Sequence, residues 1–419
     1  MFARGECKAV PKTPASFRRA WPAALIALAF ALAALTPAPS DAQDETRQRP
    51  RRVSPTAPTQ TPARPAPTPR PAAEEVGEDD VVRVETQLVS VPTVVTDRTG
   101  RPVPGLKADN FLVFEDGRPQ RIANFATTEA PFEVALLLDT SGSTRAEVGL
   151  IRRAARDFIE ALRPGDRVAI VGFNTKAEDD TRLATVEVKT PLTDDREELE
   201  EAVEAVGASN GTPFYDGLER VAREVFKEPT REELRGRRAL VALTDGVDST
   251  SEADFEDARA ALKRVGVVAY FVQVNTEDYV EERLMGDCED DGALRLSRTQ
   301  LQRYRRVIAP SASAADFDNF CRMGQFERMH ISRTLYQLAR QEMNQLARDS
   351  GGKSFPVADL RDARRAFRQV AEEIGTQYSL GYYSTNAVRD GGFRSIKVQV
   401  RGVRDAQVRA REGYQAPRS

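Results

Sequence analysis

From residue 134 to 374, short apolar runs alternate with stretches in which apolar residues recur every three or four positions. The runs 134–138, 168–173, 184–188, 239–243 and 267–274 have the length of buried strands. Val148, Ile151, Ala155, Phe158 and Leu162 share one face of the helix expected between the first two. Thr193 or Asp194 is the expected cap of the next helix, which has acids in its first turn. Near-continuous apolar strands interleaved with amphipathic helices predict an α/β fold: a doubly wound, mostly parallel sheet with helices on both faces. Residues 281–333 break the alternation and read as an insertion. A helix over 334–349 then ends at Gly351-Gly352, a short strand follows near Phe355, and a last helix covers 360–374.

The pattern changes to a period of two at both ends of this region. Val82, Val84, Thr86 and Leu88 alternate, as do Phe111 and Val113 before the hairpin signal "EDGRPQ". Tyr378, Leu380 and Tyr382 alternate on the other side, followed by Ile396, Val398 and Val400, and by Val408 in a last strand. Neither set has enough strands for a stable sheet alone. The expectation is one β-sandwich-like unit built from residues 81–130 and 375–419, with the α/β domain, 131–374, inserted between them.

Residues 1–80 do not carry either pattern. Arg18 and Arg19 precede an apolar run from Trp21 to Leu35, and Ser40-Asp41-Ala42 offers small residues for cleavage. At 1.5 Å per residue the run spans roughly 22 Å, short of a hydrocarbon core of ~30 Å. Residues 1–42 therefore read as a cleaved signal peptide, which makes the protein secreted, periplasmic or cell-surface, with no stable transmembrane anchor. Residues 43–80 read as a Pro-rich spacer that cannot build a core. Of the three cysteines, Cys7 would leave with the signal, and Cys288 and Cys321 are expected to form an intrachain disulfide. With 61 basic and 64 acidic residues the net charge is -3, and no basic excess points to nucleic acid.

Ligands of open α/β sheets bind beyond the carboxyl ends of the strands. One strand ends in Asp139-Thr140-Ser141-Gly142-Ser143, and another in Thr244-Asp245-Gly246. Thr212 lies in a Gly-containing loop, "SNGTPFYDG", that precedes a helix. Asp139, Ser141, Ser143, Thr212 and Asp245 are all hard oxygen donors, of the kind Mg²⁺ takes in a six-coordinate shell. The bland alternative for Asp139 and Ser143 is a turn followed by a helix cap.

These residues carry a resemblance. "DTSGS", a later Thr in a Gly-containing loop and "TDG" after a strand resemble, in order and strand context, the metal-ion-dependent adhesion site of von Willebrand factor type A domains. The resemblance runs from about residue 133 to 374, with 281–333 as a departure. It implies a Rossmann-like fold and a bound Mg²⁺, or Mn²⁺ or Ca²⁺, held by Asp139, Ser141, Ser143, Thr212 and Asp245. It also implies a protein partner whose exposed Asp or Glu carboxylate completes the shell. The flanking strands, "QYSLGYY" and "AREGY" resemble, more loosely, a secreted bacterial subgroup of the same family.

Catalytic readings find less support. A haloacid-dehalogenase-type phosphatase needs a second Asp where Ser141 stands. Ser141 lacks the flanking glycine of a nucleophile elbow, and the single histidine, His330, lies in the insertion. No phosphate-loop motif follows any strand. The acidic "DCEDDG" at 287–292 lacks EF-hand spacing and reads as a solvated loop. Tyr378, Tyr382 and Tyr383 read as strand packing. The expectation is a non-enzymatic, metal-dependent binding module, with a structural component of an envelope assembly as the competing class.

Overall fold

The computed structural model describes residues 88–127, 131–142, 144, 147–178, 181–228, 237–286 and 295–418. The expected signal peptide, the spacer, Val82 to Thr86, Ser143, Cys288 and the acidic 287–292 stretch lie outside the described residues.

The described residues begin with four strands, β1 (Leu88–Thr96), β2 (Phe111–Glu115), β3 (Arg118–Gln120) and β4 (Ile122–Ala126). β2 and β3 form the expected hairpin. Its Asp116-Gly117 turn has positive φ at both residues, 47° and 79°, the geometry that matches strand twist in a two-residue loop.

The α/β region follows. Its strands are β5 (Glu133–Leu138), β6 (Arg167–Glu178), β7 (Thr181–Thr193), β8 (Arg238–Thr244), β9 (Val268–Val274) and β10 (Lys353–Val357). They form one six-stranded sheet in the order β10-β9-β8-β5-β6-β7. All neighbours are parallel except β7, which is the antiparallel edge strand. The central strand β5 shows why the sheet is buried on both sides. Its side chains alternate, so Val134, Leu136 and Leu138 enter one core while Ala135 and Leu137 enter the other. Helices α1 (Val148–Ala161), α2 (Arg196–Glu204) and α8 (Ala363–Gly375) fill the first core. Helices α3 (Phe214–Arg220), α4 (Phe255–Val265) and α7 (Gln325–Ser350) fill the second.

The last strands are β11 (Tyr378–Tyr383), β12 (Phe393–Val400), β13 (Gln407–Ala410) and β14 (Gly413–Gln415). They combine with the first four in two sheets, β13-β1-β11-β4 and β14-β12-β2-β3. Each sheet therefore takes strands from both ends of the chain. Val91, Phe111, Tyr378, Leu380 and Ile396 meet in one shared core between them.

Three expectations are corrected. The cap of α2 is Asp195, not Thr193 or Asp194, because its carboxylate accepts the N–H groups of Glu197 and Glu198. The helix expected at 334–349 starts at Gln325, so the end of the expected insertion is helix. The helix expected from 360 begins at Ala363.

Between β9 and α7 lie α5 (Glu277–Leu284), α6 (Arg298–Val307) and two 3₁₀ turns, Ala314–Phe317 and Phe320–Arg322. They have their own small core, in which Leu284, Leu296, Leu301, Tyr304, Phe317 and Phe320 pack on Leu335 and Ala339 of α7. Among the described residues no helix is long and apolar enough to cross a membrane.

Candidate metal centre

β5 and β8 run side by side, so their carboxyl ends deliver Asp139 and Asp245 to the same sheet edge. The Asp139 N–H donates to the Leu243 carbonyl at 3.0 Å, which continues the strand pairing one residue further. Both carboxylates are buried, with Asp139 1% and Asp245 5% exposed.

Each carboxylate is aimed by neutral donors. The Ser141 N–H donates to Asp139 Oδ1 at 3.0 Å, and the Thr244 hydroxyl donates to Oδ2 at 2.6 Å. The Thr144 hydroxyl, bonded to the carbonyls of Asp139 and Ser141, closes the turn. On the neighbouring loop the Val247 N–H donates to Asp245 Oδ1 at 3.0 Å, and the Thr276 hydroxyl to Oδ2 at 2.6 Å. Since the Thr276 proton points at Asp245, the Tyr336 hydroxyl 2.7 Å away is the donor to Thr276. Gly246 has φ +73°, and a Cβ there would lie 2.5 Å from the Met343 methyl, so the turn after Asp245 requires glycine.

The third loop is stitched to both others. The Thr140 hydroxyl donates to the Gly207 carbonyl at 2.5 Å, and the Ser209 N–H to the Thr140 carbonyl at 2.8 Å. The Thr212 N–H donates to the Ser249 hydroxyl at 2.8 Å, and the Ser249 N–H returns to the Thr212 carbonyl at 3.0 Å. Asp248 accepts the N–H groups of Phe214 and Tyr215 at 2.8 and 3.2 Å, which fixes the loop against the start of α3.

Ser141, Thr212 and Asp245 line one cleft of about 140 Å³. Asp139 stands behind Ser141, bonded to it. The structure therefore brings four of the five expected ligands to one edge, and the fifth, Ser143, lies outside the described residues.

Burial, and then repulsion from Asp245, push the Asp139 carboxyl up to about 7, against the opposing pull of Thr244 and Ser141. Two buried carboxyls that repel each other, among hydroxyl oxygens, fit a hard divalent cation. Among the described residues no group of three or more His, Cys, Asp or Glu side chains comes together, so the donors at this edge are two carboxyls and neutral hydroxyls.

Sequence reasoning missed Thr276 and Tyr336, which hold Asp245, and did not assign Thr244 its role beside Asp139. Thr244 was legible from its place in "TDG". Thr276 follows a different strand, and Tyr336 lies on α7, so neither carried a local signal. His330 is exposed on α7, with its ring edge-on to Tyr304 at 6.3 Å. Tyr378 and Tyr382 are core residues, as expected, while Tyr383 is exposed.

Residues 133–297 match the family model for the von Willebrand factor type A domain. No curated protein matches the chain. Among solved structures, proximal thread matrix protein 1 from the mussel byssus is 14% identical, with a TM-score of 0.37. The match covers 68% of this chain and 50% of that one. A von Willebrand factor type A protein from Catenulispora acidiphila is 12% identical with a TM-score of 0.37, over 80% of this chain and 75% of that one.

Proposed function

With residues 133–297 forming a von Willebrand factor type A domain, we propose that the chain is an exported protein-binding module whose binding depends on a divalent cation. Asp139, Ser141, Thr212 and Asp245, together with Ser143, hold Mg²⁺ or a similar hard cation, and a partner's carboxylate completes its shell. The observation that carries this reading is the pair of buried carboxyls, Asp139 and Asp245, at adjacent strand ends. The cation supplies positive charge at that edge. The chain's own residues set the direction of each oxygen through Thr244, Thr276 and the three interlocked loops. Export is read from Arg18, Arg19 and the apolar run that follows them.

The test is calorimetric titration of Mg²⁺ and Mn²⁺ into wild type and into the Asp139→Ala and Asp245→Ala variants. Binding that is lost in both variants, with the fold retained by circular dichroism, supports the reading. Equal affinity in all three proteins overturns it. Affinity capture of native partners, with and without chelator, separates reversible binding from the competing structural role. A complex that survives chelation favours permanent assembly.

A further inference from the structure

The two carboxyls of the cation edge are supported from different places. Asp139 takes hydrogen bonds from Ser141 and Thr244, within the two strand-end loops. The Thr244 hydroxyl is fixed by its own loop, since it accepts the Gly246 N–H. Asp245 takes hydrogen bonds from Val247 and Thr276. The Val247 side chain belongs to the small core formed with α5, α6 and the two 3₁₀ turns. The Thr276 hydroxyl is fixed by Tyr336, a buried residue of the same core. These two donors to Asp245 are therefore tied to that core, while Asp139 has its donors on the sheet edge itself. Further contacts hold the same elements together. Thr276 is the residue before α5, and the next residue, Glu277, pairs with Arg340 of α7 at 2.9 Å. The Arg340 guanidinium lies 6.0 Å from the centre of the Tyr336 ring. Met343 of α7 leaves no room for a Cβ at Gly246. Tyr336, Arg340 and Met343 follow each other at four and three residues, so one face of α7 lies along the Asp245 loop and the start of α5.

We propose that Tyr336 is a positioning residue for the cation, and that through Tyr336 and Val247 the packing of α5, α6 and the two 3₁₀ turns sets cation affinity. The proposal rests on the cation site described above and adds how that site is regulated. A carboxylate binds a cation best when its oxygens are already aimed, because little freedom is then lost on binding. Tyr336 donates to the Thr276 oxygen, so the Thr276 proton is directed to Asp245 Oδ2. A hydroxyl that accepts one hydrogen bond is polarised and donates the next more strongly. Loosening of the small core displaces Tyr336 and Val247 together and leaves Asp245 less well aimed, while Asp139 stays held by its own loops. Linkage makes the effect reciprocal: cation binding stabilises the core by the same factor by which core packing raises cation affinity.

The experiment titrates Mg²⁺ into the full chain by calorimetry, in a double-mutant cycle. Tyr336→Phe keeps the ring in the core and removes only the hydroxyl. It is expected to weaken Mg²⁺ binding about three- to tenfold, whereas a residue that only packs would show no change. Phe317→Ala and Leu301→Ala loosen the core from the 3₁₀ turn Ala314–Phe317 and from α6. Each is expected to weaken Mg²⁺ binding about fivefold in the wild-type background, and clearly less in the Tyr336→Phe background. Amide hydrogen exchange over 298–317 gives the reciprocal reading, because Mg²⁺ should slow it in wild type and slow it less in Tyr336→Phe. Unchanged Mg²⁺ affinity in Tyr336→Phe overturns the proposal. So does an equal effect of Phe317→Ala and Leu301→Ala in the two backgrounds. Either result, in a protein that binds Mg²⁺, leaves the cation reading standing. Absence of Mg²⁺ binding by wild type overturns that reading and the proposal with it.

Discussion

The Thr244 hydroxyl donates to the buried Asp139 carboxylate at 2.6 Å, across two adjacent parallel strands. The same oxygen accepts the Gly246 N–H at 2.8 Å, so one side chain shapes both cation loops. Thr244→Val keeps the shape and removes the donor. The expected result is a loss of about 1–3 kcal/mol in cation affinity, the range for a hydrogen bond to a charged group, with a small change in fold stability. Calorimetric titration of Mg²⁺ measures it, and unchanged affinity would count against a role for Thr244 in orienting Asp139.

The Asp139 carboxyl, raised from 3.8 to about 7 by burial and by Asp245, makes the cation-free protein sensitive to pH. Because the folded value lies above the unfolded one, the folded state holds the extra proton between them. This contribution to stability is full below pH 3.8 and is lost as pH rises through about 7. Urea unfolding in chelator should therefore show lower stability at pH 8 than at pH 5.5, by a difference that shrinks in Asp139→Asn. Mg²⁺ should reverse the trend in wild type, since it binds the deprotonated site. A wild-type difference no larger than that of Asp139→Asn would contradict this.

The central sheet was legible because its inner strands β5, β8 and β9 are apolar on both faces. The 134–138 run alone announces two cores, and its Asp139 announces a change of role. The oxygen donors Ser141, Thr212 and Asp245 were legible through residue type and position after strands. The supports were not. Thr276 and Tyr336 reach Asp245 from another strand end and from α7, a relation that only tertiary folding creates. The early start of α7 was hidden for a similar reason. Ile331 and Leu335 are buried by Leu284, Leu301 and Phe317, so the helix gains an apolar partner only when the insertion packs. Asp195 escaped notice because three consecutive polar residues, Thr193 to Asp195, are all competent caps.

Cys288 and Cys321 test the oxidising location. Cys321 sits in the 3₁₀ turn Phe320–Arg322, next to the small core of the insertion. A bond to Cys288 is expected to stabilise this region by about 3–4 kcal/mol on the loop-entropy account. Non-reducing peptide mapping of protein recovered from the oxidising compartment should give a linked Cys288–Cys321 pair. Two free thiols would rule the bond out.

Arg237 marks where the α/β domain joins the β unit. It is 1% exposed and donates to the Thr127 carbonyl at 2.5 Å, where the chain approaches β5, and to the Ile374 carbonyl at 3.4 Å, near the end of α8. Its guanidinium also lies over the Phe132 ring at 4.4 Å. Burial lowers its proton affinity to about 10, so it stays charged at neutral pH. Arg237→Met is expected to cost about 2–4 kcal/mol by leaving two carbonyls without this donor. Cation affinity should stay unchanged, because the residue sits at the opposite end of β8 from Asp245. A thermal melt and a Mg²⁺ titration on the same variant check both halves.

Glu115 gives the corresponding test for the two-ended β unit. Its side chain, at the end of β2, accepts the hydroxyls of Tyr382 at 2.7 Å, Ser384 at 2.5 Å and Tyr414 at 3.0 Å. All three donors come from the C-terminal strands or the loop after β11. Glu115 is only 2% exposed, so removing it strands buried hydroxyls. Glu115→Ala should therefore lower stability by about 2–4 kcal/mol. Glu115→Gln, which keeps acceptor oxygen on one side, should cost less. If the N-terminal strands were an independent unit, the 88–127 segment alone would melt cooperatively. The shared core of Val91, Phe111, Tyr378 and Leu380 predicts that it will not, and circular dichroism of that fragment decides between the two.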